Sequence, residues 1–197
     1  MSTGQDGHHT GAVHPWAVEQ TREVARTPIF RLSARLSSHP EGARPRSEFY
    51  VLEAPDWVNV IPLTDDGQVV MVRQYRHGRR EMTLEIPGGM VDPDDPSPLE
   101  AARRELLEET GYFAGQVEQI GSIAPNPAIQ DNLCHSFVAG QLELRGAPRP
   151  DGTEELAVEL VALERIPELI RRGEICHALV VVAFCHFLGL GRRTCHR

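Results

Sequence analysis

Three glutamates are the residues whose types and spacing most clearly indicate chemistry. Glu105, Glu108 and Glu109 lie in a segment that is predicted to be helical. At about 100° per residue, their side chains fall within an arc of roughly 100° on one helix face. Carboxylates so close together repel one another and do not stabilise a helix. Either the face is simply solvated, or a hard cation such as Mg²⁺ (or Mn²⁺) binds there together with substrate phosphates.

The surrounding sequence predicts where this helix begins and ends. Ser97 is a candidate N-cap, Pro98 takes the first helical position, and a glutamate follows Ser97 by three residues, as in a capping box. Gly111 is suited to end the helix in the left-handed conformation. Upstream, Gly88 and Gly89 predict a loop whose backbone can approach the same metal closely, because glycine has no Cβ.

Residues 88–112 resemble the Nudix box, G-x5-E-x7-R-E-U-x-E-E-x-G-U, in which U is apolar. Residues 104–112 fit the second half throughout. The first half differs, because Asp95 stands in place of the glutamate and one extra residue precedes Arg104. By this resemblance Arg104 would hold the glutamates through charge-assisted hydrogen bonds. It also implies the metal ligands, which are the carboxylates of Glu105, Glu108 and Glu109 and a backbone carbonyl of Gly88 or Gly89.

The resemblance extends over roughly residues 25–190. Within the family, the sequence is most similar in its details to the ADP-ribose and nucleoside-diphosphate-sugar pyrophosphatases. Its marks are Gln74-x-Arg76, the run from Glu85 to Gly89, and Pro127 shortly after the box. The function that this implies is Mg²⁺-dependent hydrolysis of the pyrophosphate bond of ADP-ribose or a nucleoside diphosphate sugar. The products would be a nucleoside monophosphate and a sugar phosphate.

Several residues outside the box are candidates for substrate binding and catalysis. Arg76 either clamps the pyrophosphate or forms an ion pair with Glu85, itself a candidate in the substrate site. Trp57 either stacks on a base or packs in the core. The resembling branch often takes its general base from an acidic loop after the box, for which we name Glu155 first and Glu154 second. The alternative for these two is a solvated acidic loop.

The hydrophobic pattern predicts an α/β protein in three parts. Residues 1–19 are expected to be a flexible tail, 20–55 a small antiparallel β unit, and 56–191 the catalytic domain. The resemblance implies a Nudix α/β/α sandwich with a mixed sheet for the third part. A lone hairpin is marginal in water, so the β unit should pack on something larger. By resemblance that would be a second subunit, which predicts a homodimer.

Composition excludes some classes of protein. The net charge of −8 argues against a general nucleic-acid binder, which would present a basic face. The sequence has no apolar run typical of a secretory signal or a membrane span. The four cysteines lack zinc-site spacing. We therefore expect a cytoplasmic protein without a nucleic-acid or membrane partner.

Two other functions stay open at this point. One is another Nudix pyrophosphohydrolase activity, such as nucleoside-triphosphate clean-up or dinucleoside polyphosphate cleavage. The other is a non-catalytic nucleotide-sensing module of the same family. A sensor would be expected to lose its metal-binding carboxylates, whereas this sequence keeps all three.

Overall fold

A computed structural model describes residues 13–42, 44–150, 152 and 155–189 of the 197-residue chain. The chain divides into two compact units between Glu53 and Ala54. None of the helices in the described ranges is long and apolar enough to cross a membrane.

The N-terminal unit is a three-stranded antiparallel sheet. Its strands, in the order β1-β2-β3, are β1 Ala17–Arg26, β2 Arg31–Ser38 and β3 Ser47–Glu53. The hydrophobic pattern predicted β2 and β3 but missed β1, whose residues are exposed along its whole length. A strand without a buried face has no alternation to detect. Residues 17–19 therefore belong to a strand and not to the predicted tail.

Glu53 is a half-buried carboxylate that pairs with two arginines of this unit. Its carboxylate accepts hydrogen bonds from Arg31 Nε at 2.6 Å and Arg35 Nη2 at 3.0 Å. Burial alone would raise the pKa of Glu53, but the hydrogen bonds from Arg31, Arg35 and Ser33 outweigh it and lower the pKa to about 2.

We expect the N-terminal unit to lose stability as the pH falls. A carboxyl group whose pKa is lowered by folding stabilises the fold at pH values above its unfolded-state pKa of 4.5. This stabilisation is lost as the pH falls towards the folded-state pKa of about 2. Urea unfolding followed by Trp16 fluorescence in a Trp57→Phe background would measure the change. Glu53→Gln should flatten the acid dependence, whereas the exposed Glu23→Gln should not. An unchanged dependence in Glu53→Gln would contradict this assignment.

The C-terminal unit contains two sheets. The first is mixed, in the order β7-β4-β9-β8, with β4 parallel to β9 and the other pairs antiparallel. The second is antiparallel, in the order β10-β5-β6. The strands are β4 Trp57–Pro62, β5 Gln68–Arg76, β6 Glu81–Glu85, β7 Gly88–Met90, β8 Tyr112–Ile123, β9 Cys134–Leu144 and β10 Leu156–Ala162.

Helices cover these sheets on two sides. They are α1 Pro98–Thr110, α2 Ile166–Arg171 and α3 Ala178–Phe187, with a 3₁₀ turn Leu163–Arg165 before α2. Val58 and Val60 of β4 pack in one core with Leu106 of α1, whereas Ile61 packs in the other core with Phe184 of α3. Strand β4 thus presents alternate side chains to two helical layers. The predicted α/β/α sandwich with a mixed sheet is confirmed.

Helix α1 forms for the reasons that the sequence indicated. Ser97 Oγ accepts the backbone N–H of Glu100 at 3.3 Å, and Pro98 occupies the first turn. Gly111 has a φ of 77° and donates its N–H to the carbonyl of Leu107 at 2.8 Å. These caps fix both ends of the helix that carries the three glutamates.

Two connections differ from the predicted ones. Asp65-Asp66-Gly67 is a strong hairpin-turn signal and predicts that β4 and β5 pair as a hairpin. The turn does form, with Gly67 N–H donating to Thr64 O at 3.0 Å. β4 and β5 nevertheless belong to different sheets, and an isolated antiparallel bridge between Leu63 and Val69 joins the ends of the two strands. Gly88 and Gly89, predicted as a loop, begin the short strand β7 beside β4. A hydrophobic pattern marks strands but does not choose their partners.

Candidate active site

Helix α1 borders a cleft of about 760 Å³ in the C-terminal unit. The cleft is also lined by β7, by residues at the ends of β4, β5 and β6, and by the segment that leads into α3. Its polar and charged lining residues are Asn59, Arg76, Arg79, Thr83, Glu85, Asp92, Arg104, Glu105, Glu108, Glu109, Cys176 and His177. A concave site with converging polar groups is the usual form of a small-molecule site.

The three glutamates of α1 all line this cleft. Glu109 is 3% exposed, and the side chains of Glu105 and Glu108 are 14% and 33% exposed. Glu109 Oε2 accepts the backbone N–H of Gly88 at 3.0 Å, which ties α1 to β7. The predicted acidic face therefore points into a cleft and is not simply a solvated surface.

Arg104 balances the charge of this face. Its Nη1 donates to Glu105 Oε1 at 2.9 Å and to Glu108 Oε2 at 3.0 Å, and its Nη2 donates to the carbonyl of Met90 at 3.0 Å. Hydrogen bonding to Asp95 raises the pKa of Arg104, although burial opposes this. The repulsion among the glutamates is thus relieved in part by the guanidinium of Arg104.

Asp95 pairs with Arg104 in spite of the extra residue between them. Its two carboxylate oxygens accept from Arg104 Nε at 3.1 Å and Nη2 at 2.9 Å. This guanidinium holds the pKa of Asp95 below its ordinary value. The shorter side chain still reaches Arg104 because the loop folds back, with Asp95 N–H donating to Asp92 O at 3.0 Å.

Two glycines of β7 lie close to neighbouring groups. A Cβ on Gly88 would clash with the carbonyl of Val58, and a Cβ on Gly89 would clash with the carboxylate of Glu105. The first neighbour is backbone and cannot move, whereas the second is the end of a flexible side chain. Gly88 therefore serves the β4–β7 pairing, and Gly89 leaves room for a metal-ligand candidate.

A second charged group in the cleft is centred on Glu85, which is 2% exposed. Its carboxylate accepts two hydrogen bonds from Arg76, at 2.8 and 2.7 Å, one from Thr83 Oγ1 at 2.7 Å and one from His177 Nδ1 at 2.8 Å. Burial alone would raise the pKa of Glu85, but the hydrogen bonds from Arg76 and His177 outweigh it and hold the pKa well below its usual range. The ion pair that the sequence offered as one alternative for Arg76 is present.

Comparison with known proteins decides the family. The model of the NUDIX domain matches residues 55–181, well over half of the chain. The chain belongs to the Nudix family. This assignment confirms the resemblance seen in residues 88–112, and it makes the protein a Nudix hydrolase.

Known proteins similar in sequence to this Nudix chain have names that describe different functions. It is 32% identical over 145 residues to the ADP-ribose pyrophosphatase of Bacillus subtilis (strain 168), covering 73% of this chain and 77% of that one. It is 29% identical over 165 residues to a methanol dehydrogenase activator of Bacillus methanolicus, covering 83% and 88%. It is 34% identical over 115 residues to the GDP-mannose pyrophosphatase of Salmonella typhimurium (strain LT2), covering 54% and 59%.

A solved structure supports the fold independently. The crystal structure of an ADP compounds hydrolase superposes with a TM-score of 0.79 at 22% sequence identity, covering 93% of this chain and all of that one. At this identity the likeness shows the Nudix fold.

Nudix hydrolases generally need a divalent metal ion, and the cleft residues fit one. Carboxylates on one helix face and a glycine backbone with no Cβ form a set of hard oxygen donors. Within the described ranges, however, no three acidic, histidine or cysteine side chains already converge as a metal cluster. Arg104 pairs with Glu105 and Glu108, and Gly88 N–H donates to Glu109, so these carboxylates also have partners within the protein.

The remaining predicted site residues are not all found in the cleft. Trp57 opens β4, is half-buried and lines the cleft, so its ring is available to a ligand. Glu155 is exposed and is not among the residues that line the cleft, although Pro150 of the same loop is. Glu154 lies outside the described residues.

Sequence reasoning missed His177. Its imidazole joins Glu85 across 92 residues of sequence, and no motif links the two positions. The available signal was local: His177 stands directly before the apolar run that forms α3, where an N-cap belongs.

Gly89→Ala should slow catalysis while leaving the fold intact. The added Cβ displaces the carboxylate of Glu105 but meets no backbone atom among its nearest neighbours. We expect a loss of about 10- to 100-fold in kcat/KM, as for other changes that misorient metal ligands. Gly140→Ala is the matched control, since a Cβ there meets nothing within 4 Å. Equal rates for both variants, at equal melting temperatures, would refute the proposed role of Gly89.

Proposed function

We propose that the protein hydrolyses the pyrophosphate bond of ADP-ribose or a nucleoside diphosphate sugar in a Mg²⁺-dependent reaction. The products are a nucleoside monophosphate and a sugar phosphate. The observation that carries the proposal is a cleft lined by three carboxylates of α1 and by the guanidinium groups of Arg76 and Arg79. Acidic groups suited to cations and basic groups suited to phosphates are thus available to one diphosphate. The names of the relatives from Bacillus subtilis and Salmonella typhimurium agree with it.

The acidic residues provide the metal-binding part of the site. Glu105, Glu108 and Glu109, with the carbonyl of Gly88, would hold the metal. Bound Mg²⁺, or Mn²⁺ in its place, supplies charge neutralisation at the phosphates and makes a bound water more acidic. Arg104 keeps the first two carboxylates oriented through its paired hydrogen bonds.

The other lining residues would bind and orient the substrate. Arg76 is held by Glu85 through two hydrogen bonds and is 41% exposed, so it can also contact a phosphate. Trp57, which lines the cleft at the start of β4, would stack on a base. With the base bound by Trp57 and a phosphate bound by Arg76, the pyrophosphate would be held beside α1.

The proton acceptor in this proposal is an acid of the loop before β10, with Glu155 preferred over Glu154. Two contacts support this choice. Arg149 N–H donates to Glu108 O at 2.6 Å, so the loop begins against the helix that carries the glutamates. At its other end Leu156 pairs with Gln74, two residues before Arg76 on β5. Both ends of the loop therefore lie next to elements of the cleft.

A substrate panel tests the proposal. The purified protein is incubated with ADP-ribose, GDP-mannose, a nucleoside triphosphate and a dinucleoside polyphosphate, with Mg²⁺ or with EDTA. We expect nucleoside monophosphate from one of the first two with Mg²⁺ and none with EDTA. Faster cleavage of the triphosphate or the dinucleoside polyphosphate would favour the alternative Nudix activities. The absence of any turnover, together with nucleotide binding, would favour a sensing module.

A homodimer is part of the proposal. The N-terminal unit exposes apolar side chains that a second subunit could cover, namely Val18, Val24, Ile29, Phe49 and Tyr50. Sedimentation equilibrium at micromolar concentration should give twice the chain mass. A monomer mass under these conditions would overturn this part.

A further inference from the structure

Glu85 uses both of its carboxylate oxygens within the protein. One oxygen accepts from Arg76 Nε and Thr83 Oγ1, and the other accepts from Arg76 Nη2 and His177 Nδ1. The guanidinium of Arg76 already balances the charge of this buried carboxylate. Glu85 is thus a fixed support that holds two cleft-lining side chains, one from β5 and one from the start of α3.

His177 is held in place from its backbone side as well. Its carbonyl accepts Val181 N–H at 3.1 Å, which starts α3, and Asn59 Nδ2 donates to the carbonyl of Leu179 at 3.1 Å. Val180 in the same turn is 2% exposed and anchors the helix in the core. A side chain fixed in this way loses little conformational freedom when a ligand binds.

The hydrogen bond to Glu85 decides which imidazole nitrogen can serve a ligand. A carboxylate only accepts, so Nδ1 must carry the proton. Among the described residues, His177 forms its side-chain hydrogen bond to Glu85 through Nδ1. The neutral imidazole therefore has its lone pair on Nε2, in a side chain that is 37% exposed and lines the cleft. A hydroxyl group is a suitable partner for such an acceptor.

We propose that His177 is a further substrate-binding residue, positioned by Glu85, whose Nε2 accepts a hydrogen bond from a sugar hydroxyl of the substrate. The inference rests on the proposed function, because it assigns a residue to the sugar of the same substrate. Phosphate oxygens, which only accept, cannot use this lone pair, whereas a sugar offers several hydroxyl donors. His177 then favours substrates with a sugar beside the pyrophosphate.

Two amide variants of His177 distinguish a direct contact with the substrate from a role limited to the hydrogen bond between His177 and Glu85. The amide of Asn can take the place of Nδ1, and the amide of Gln can take the place of Nε2. KM and kcat for ADP-ribose would be measured with Mg²⁺ for the wild type, His177→Ala, His177→Gln and His177→Asn. His135→Ala is the matched control, since His135 also faces a carboxylate, that of Asp56 at 3.3 Å, but does not line the cleft.

His177→Ala should raise KM by about threefold to tenfold, which is the effect of one lost neutral hydrogen bond, with little change in kcat. His177→Gln should have a lower KM than His177→Asn, and His135→Ala should match the wild type. An unchanged KM in His177→Ala, or a KM for Asn equal to or below that for Gln, would overturn the inference. A wild type that leaves ADP-ribose and GDP-mannose intact would instead overturn the proposed function, and this assignment with it.

Discussion

Replacing Glu109 with Gln should lower kcat for ADP-ribose by about a thousandfold, because one metal-binding charge is worth several kcal/mol of transition-state stabilisation. The fold should survive, since the amide oxygen of Gln can still accept the N–H of Gly88 that Glu109 accepts at 3.0 Å. The measurement is steady-state turnover with saturating Mg²⁺, alongside the melting temperature.

Glu100→Gln is the matched control on the same helix. Glu100 is exposed, forms an ion pair with Arg103 at 3.6 Å and does not line the cleft. Its variant should keep the wild-type rate. If Glu109→Gln also keeps that rate, the metal-binding role of the α1 face is wrong.

Replacing Glu155 with Gln should lower kcat by about 10²- to 10⁴-fold, the usual contribution of a general base, with a smaller change in KM. Glu154→Gln should be less affected if Glu155 is the base. The loop is anchored by Arg149 N–H on Glu108 O, so either change leaves its attachment to α1 intact. Rates would be compared at saturating ADP-ribose and Mg²⁺.

The control for the loop acids is Glu164→Gln, in the exposed 3₁₀ turn after β10. It should behave as the wild type does. Full activity in both Glu155→Gln and Glu154→Gln would show that the base comes from elsewhere. A reversed order, with Glu154→Gln the slower, would move the role to Glu154 without changing the rest of the mechanism.

Local signals were sufficient to predict α1 and its three glutamates. The cap at Ser97, the glycine at 111 and the helical spacing all act over a few residues, and the structure has each of them in place.

Features that depend on distant contacts could not be predicted in this way. The separation of β4 and β5 into different sheets follows from their pairing with β9 and β10, far along the chain. The support of His177 by Glu85 joins residues on β6 and at the start of α3. Counting along the box cannot show that the loop of Asp95 folds back onto Arg104.

Mn²⁺ binding to the wild type and to a Glu105→Gln/Glu109→Gln variant tests the central claim most directly. Titration in the presence of ADP, followed by electron paramagnetic resonance, counts bound ions without requiring turnover. We expect the wild type to bind Mn²⁺ and the double variant, folded and with an unchanged melting transition, to lose most of that binding. Equal Mn²⁺ binding by the two proteins would contradict the assignment of the α1 carboxylates as the metal site.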